Sequence, residues 1–184
     1  MKKKILIIVA LIIVLCIGIF VLTGCGNNES EDKTESNMFS NKKDEILIGN
    51  ETLKFNKETT FKNFKFMNVD GIKPDESKHA VYLTYENKAI YDGRFVFRIS
   101  LQYSDETNLK EFLQDNKTTK KNINGIEWNT LSVENTTDKK ETKSIIYATQ
   151  KDGVLYAVSI LCFKEANIDI TNLAEVFMNG VTIK

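Results

Sequence analysis

Ser144-Ile145-Ile146-Tyr147-Ala148-Thr149-Gln150-Lys151-Asp152-Gly153-Val154-Leu155-Tyr156-Ala157-Val158-Ser159-Ile160-Leu161-Cys162-Phe163 is the stretch whose reading decides the fold. Asp152-Gly153 is a two-residue turn of the kind that joins antiparallel strands, because both residues tolerate a positive φ. After it, Val154 to Phe163 is apolar at alternate positions of both parities. A strand sends successive side chains to opposite faces, so a strand apolar on both must be covered on both. The sequence therefore predicts that Val154 to Phe163 is central in its sheet, with Ser144 to Lys151 paired beside it.

Working outward, Asn124-Gly125 is a second hairpin turn, leading into Ile126 to Val133. Phe95, Phe97, Ile99, Leu101 and Tyr103 alternate with Arg98, Ser100 and Gln102, which gives a strand with one core face and one wet face. Val81 to Tyr85 reads as another strand, and Asp70 to Lys78 as a polar loop. Near the start, Ile46-Leu47-Ile48, Gly49-Asn50 and Thr52 to Phe55 form a hairpin, and Phe61 to Met67 reads as extended. Two segments switch to helical spacing. Leu109, Phe112 and Leu113 share a face after Ser104 or Asp105 as cap, and Ile170, Leu173, Ala174 and Phe177 share one between an Asp169 or Thr171 start and an Asn179-Gly180 stop. The expected class is α+β, an antiparallel sheet with helices packed on it.

The helix at Asn108 to Asn116, the Asn124-Gly125-Ile126-Glu127-Trp128 turn and strand, the Asp152-Gly153 hairpin with Tyr156 and the closing helix together resemble the PsbP/MOG-like α/β/α sandwich, over roughly Asn50 to Lys184. That resemblance implies a binding or assembly module without catalysis, since most members of the family are non-catalytic. It transfers no site residue to this chain.

The N-terminus carries an address. Lys2, Lys3 and Lys4 precede an apolar run from Ile5 to Leu22, the pattern of an export signal. At about 27 Å of helix, that run is also just long enough for a membrane anchor. The small residues of Leu22-Thr23-Gly24-Cys25 directly at its end resemble the lipobox of bacterial lipoproteins. The resemblance implies cleavage between Gly24 and Cys25, a diacylglyceryl group on the Cys25 thiol, and residence on the outer face of the cell membrane. Two acyl chains hold stably where one is marginal. The expected organisation is a signal peptide over residues 1–24, a lipidated cysteine and disordered tether over 25–45, and a single domain over 46–184. Abundant Lys, Asn and Ile with a single Pro suggest an AT-rich, low-GC Gram-positive source.

Charge narrows the partners. The chain has 25 basic and 25 acidic side chains. Loss of the three N-terminal lysines leaves a net charge of −3, all of it within residues 26–45; residues 46–184 are balanced. A neutral domain has no field to attract nucleic acid, so the expected partners are the membrane, through Cys25, and an unidentified envelope protein or wall component. A 20-residue tether spans roughly 25 Å as a flexible coil.

Residues that carry chemistry are few. Once Cys16 leaves with the signal and Cys25 is alkylated, Cys162 has no disulfide partner, and its apolar strand makes it a small buried hydrophobe. His79 is the single histidine, which leaves no His pair for zinc. Asp75, Glu76 and His79 are near enough in sequence to share a metal, though solvated loop charge is the simpler reading. Glu111, Asp115, Glu127 and Glu134 show no pairing for glycoside hydrolysis, and the glycines form no phosphate loop. No catalytic residue, cofactor or metal site is expected. Trp128 is either core, sharing a face with Ile126, or a possible ligand platform. A non-enzymatic binding or assembly module is the leading expectation; a cell-envelope hydrolase and a small-ligand receptor for a transporter are the alternatives.

Overall fold

The computed structural model describes residues 44–93, 95–137 and 140–184. The signal, the Gly24-Cys25 cleavage and lipidation site and nearly all of the expected tether lie outside the described residues. All described residues belong to one unit, Asn41–Lys184. Its elements are β1 (Glu45–Ile48), β2 (Glu51–Phe61), β3 (Phe64–Val69), β4 (Asp75–Glu76), β5 (Ala80–Tyr85), β6 (Phe97–Ser104), α1 (Leu109–Leu113), β7 (Thr119–Ile123), β8 (Ile126–Thr137), β9 (Lys140–Lys151), β10 (Val154–Phe163), a 3-10 turn (Lys164–Ala166), α2 (Ile170–Asn179) and β11 (Thr182–Ile183).

The strands form two antiparallel sheets, of order β1-β2-β3-β11 and β4-β5-β6-β10-β9-β8-β7. Strands hold 56% of the described residues and helices 13%, so the expected α+β architecture, the PsbP/MOG-like α/β/α sandwich with helices packed on one sheet, is overturned. The layers are sheet on sheet. Two local causes account for the change. β2 runs on through Phe61 and turns at Lys62-Asn63, with Lys62 at a φ of 53°, which makes Phe61 to Met67 the corner of a hairpin and not one strand. The first helix has only five residues and buries none of them completely. Its cap is Asn108, whose Oδ1 accepts from the Glu111 N–H at 2.9 Å, and not Ser104 or Asp105. Gln114, at a φ of 52°, ends it.

The central hairpin follows the sequence. Asp152 and Gly153 take φ of 52° and 80°, and β10 lies between β6 and β9. Tyr156, Val158, Ile160 and Cys162 enter the core on one face, while Leu155, Ala157, Leu161 and Phe163 are buried on the other. The small sheet packs on the first of these faces. Phe64 meets Tyr156 edge-on with ring centres 5.2 Å apart, Phe61 meets Tyr103 at 6.2 Å, and Asn63 Nδ2 donates to the Tyr156 hydroxyl at 2.9 Å. α2 shares that interior. Asp169 caps it through Thr171 and Asn172, and Phe177 packs against Phe55 and Phe66 of the small sheet. Val176 and Met178 are buried as well as the predicted stripe, because the helix touches strands of both sheets.

Candidate functional site

The interior beneath α2 holds the most unusual polar grouping. β8 sits between β7 and β9, and its inward positions include Trp128 and Thr130, two residues apart and therefore on one face. Lys121 is opposite Trp128 on β7, and Tyr147 is opposite Thr130 on β9. α2 crosses above them: Glu175 reaches Lys121 at 3.5 Å, and its charge acts on Tyr147. The helix end is fixed to the β7–β8 turn by Asn124, whose Nδ2 donates to the carbonyls of Val181 at 2.8 Å, Asn179 at 3.0 Å and Met178 at 3.4 Å. Asn124 adopts a φ of 53° and Gly125 one of 79°, as a tight hairpin turn requires.

Trp128 is 0% exposed, so the core reading holds and the exposed ligand platform is corrected: no ring face is offered to a ligand. Its Nε1–H and the Thr130 hydroxyl are nevertheless both shut from solvent without a hydrogen-bond partner among the described residues. An orphaned buried polar group costs about 1–3 kcal/mol. Burial, and secondarily the Glu175 charge, pushes the Tyr147 phenol up to about 12, so it remains a neutral hydroxyl.

A second grouping lies at the far end of β10, on the opposite face of the large sheet. Tyr91 stacks on Phe163 at 5.4 Å, and Phe95 tilts against the same ring at 5.1 Å. Arg98 lies over Phe95 at 4.6 Å, and the Lys140 ammonium is 5.7 Å from both the Tyr91 and Phe163 rings. Tyr91 is half-buried and Lys140 exposed, so the rim combines an aromatic edge with a cation. A third, between the sheets, joins Tyr85 to Glu51 at 2.5 Å and Asn87 to Glu51 at 2.9 Å. Burial, then Glu51, raises the Tyr85 phenol above its ordinary value.

The residues singled out from sequence do not converge. Asp75 and Glu76 are consecutive residues of β4 and point to opposite faces, while the His79 ring leans on Tyr103 at 5.4 Å. Among the described residues no group of three His, Cys, Asp or Glu side chains could hold a metal. Glu127 pairs with Lys120 at 2.8 Å, Glu134 with Lys164 at 3.1 Å, and Glu111 sits in the first turn of α1. Cys162 is buried, and burial pushes its thiol up to about 11. The Phe163 cluster was missed because Tyr91 and Lys140 are far apart in sequence. Its one sequence signal was that Tyr91, Phe95 and Phe163 are all aromatic. Among the described residues, no helix is long and apolar enough to cross a membrane.

Neither a family model nor a curated protein matches the sequence. A solved structure of a Bacteroides thetaiotaomicron protein is similar to this chain, with a TM-score of 0.53 and 8% identity, over 71% of this chain and 49% of that one. The chain thus spans about half the length of that neighbour, and at this identity the likeness concerns the fold alone.

Proposed function

We propose that this protein is a lipid-anchored, extracytoplasmic binding or assembly module that works by contact with another envelope component. The observation that carries the reading is Leu22-Thr23-Gly24-Cys25 at the end of a basic-then-apolar N-terminus. A lipid on Cys25 confines the domain to a thin layer above the membrane, which raises its effective concentration toward partners in that layer without adding any contact. The contact face we assign is the rim around Tyr91 and Lys140. Aromatic side chains are enriched at interfaces, and here Tyr91 is held in place by its stack on Phe163.

Two measurements test this. Mass spectrometry of the mature protein should find an N-terminal Cys25 carrying diacylglycerol, and Cys25→Ser should abolish it; an intact Met1 on the wild-type protein rules out the anchor. A photo-crosslinking residue placed at position 91 in native membranes should capture a partner that the same residue at position 58 does not. Equal capture from both positions removes the assigned face. Turnover of a wall polymer by the purified protein replaces the binding reading with a hydrolase.

A further inference from the structure

We propose that Trp128 and Thr130 form the floor of an internal binding site, roofed by α2, for a small hydroxyl-bearing molecule, of which water is the smallest. The two orphaned atoms belong to successive inward positions of one strand, so both open toward the same side of the sheet. The indole N–H can only donate, whereas the threonine hydroxyl both donates and accepts. An oxygen that accepts from Trp128 and exchanges a hydrogen bond with Thr130 satisfies both groups; a cation satisfies neither the indole nor the local chemistry. The nearby polar groups are engaged elsewhere. Thr149 donates to the Glu127 carbonyl at 2.8 Å, Lys121 reaches Glu175, and Asn124 is spent on the end of α2. Tyr147, opposite Thr130, supplies a third polar neighbour on the same face and its second hydroxyl. Buried polar groups in folded proteins are nearly always satisfied, and where the protein lacks the partner a bound molecule supplies it. The trio has the right character for a neutral guest, since no ionised side chain is among them.

Trp128 is the single tryptophan of the chain, so its indole N–H gives one isolated signal in a nitrogen–proton spectrum of the full-length, detergent-solubilised protein. The test follows that signal in buffer and during a glycerol titration, in the wild type and in Thr130→Val, which keeps the shape and removes the hydroxyl. With water as the guest, the signal shows a direct cross-relaxation peak to water, unaffected by glycerol and lost or strongly weakened in Thr130→Val. With a larger hydroxyl compound as the guest, glycerol shifts the signal saturably and removes the water peak, and Thr130→Val reduces that response. No water peak and no response to glycerol in the wild-type protein, with an indole signal that Thr130→Val leaves in place while its other resonances stay native, overturns the site. A crosslink from position 91 is indifferent to this result, so the internal site and the contact face stand or fall separately.

Discussion

Removing the Asn124 side chain should loosen the closure between the β7–β8 turn and α2. Two of its three hydrogen bonds, at 2.8 Å to Val181 and 3.0 Å to Asn179, have good lengths, while the 3.4 Å contact to Met178 is too long to count for much. At about 1 kcal/mol net for each good bond, and with the carbonyl of the fully buried Val181 left with less to accept from, Asn124→Gly should cost about 2–3 kcal/mol. Glycine adopts the φ of 53° freely, so this variant isolates the side chain. Asn124→Ala adds the strain of a left-handed backbone, about 1 kcal/mol more. Asn124→Asp should be at least as harmful as glycine, because a carboxylate only accepts and would face carbonyl oxygens. Urea unfolding followed by Trp128 fluorescence and by circular dichroism gives the ordering directly, provided the slope is unchanged between variants. An Asn124→Gly protein within about 0.5 kcal/mol of the wild type would refute the assigned role. Alanine no worse than glycine would refute the part assigned to φ.

A methyl group on Gly180 would come within 2.7 Å of Met67 Cγ and 3.1 Å of its Cβ, so Gly180→Ala should destabilise by about 1–3 kcal/mol, and Met67→Ala in the same chain should recover part of the loss in a double-mutant unfolding cycle. Burial raises the Cys162 thiol from 9.0 to about 11 and the Tyr147 phenol from 10.0 to about 12. The folded chain therefore keeps protons that the unfolded chain has already lost, and stability should fall as pH rises from about 9 toward 12. Urea midpoints across that range should decline less steeply above pH 10 in Tyr147→Phe; an unchanged slope would mean that the phenol ionises alike in both states.

Local signals were legible wherever one residue type dictates the backbone. Asp152-Gly153 and Asn124-Gly125 marked their turns, the two apolar faces of Val154 to Phe163 marked the central strand, and the Ile170, Leu173, Ala174 and Phe177 spacing marked α2 to its ends. The class of the fold was not legible, because it depends on which strands share a sheet. Nothing in Phe64 and Lys65 announces that their partners are Ile183 and Thr182. Helical spacing at Leu109, Phe112 and Leu113 was real but too short to build a layer, and residues of β2 such as Asn56, Lys57 and Glu58 look like a loop until β3 pairs with them across a bulge at Phe55 and Lys57. Asp75, Glu76 and His79 show the converse case. Closeness along the chain made a shared metal an alternative to solvated loop charge, and the alternation of a two-residue strand sends Asp75 and Glu76 to opposite faces.

The pairing of β3 with β11 also bears on how the protein is made. As β3 emerges, one of its edges finds β2 at once, but the other waits for a strand more than a hundred residues downstream. Delivered N-terminus first, that edge stays open until the last residues of the chain arrive, whereas a hairpin closes in microseconds. Throughout that interval β1 to β3 form a partial sheet whose apolar face, with Phe55, Phe61, Phe64 and Phe66, still lacks both α2 and the large sheet. The small sheet is thus first to be synthesised and last to be completed, and the nascent chain is most exposed to misassociation along the open edge of Phe64 to Val69.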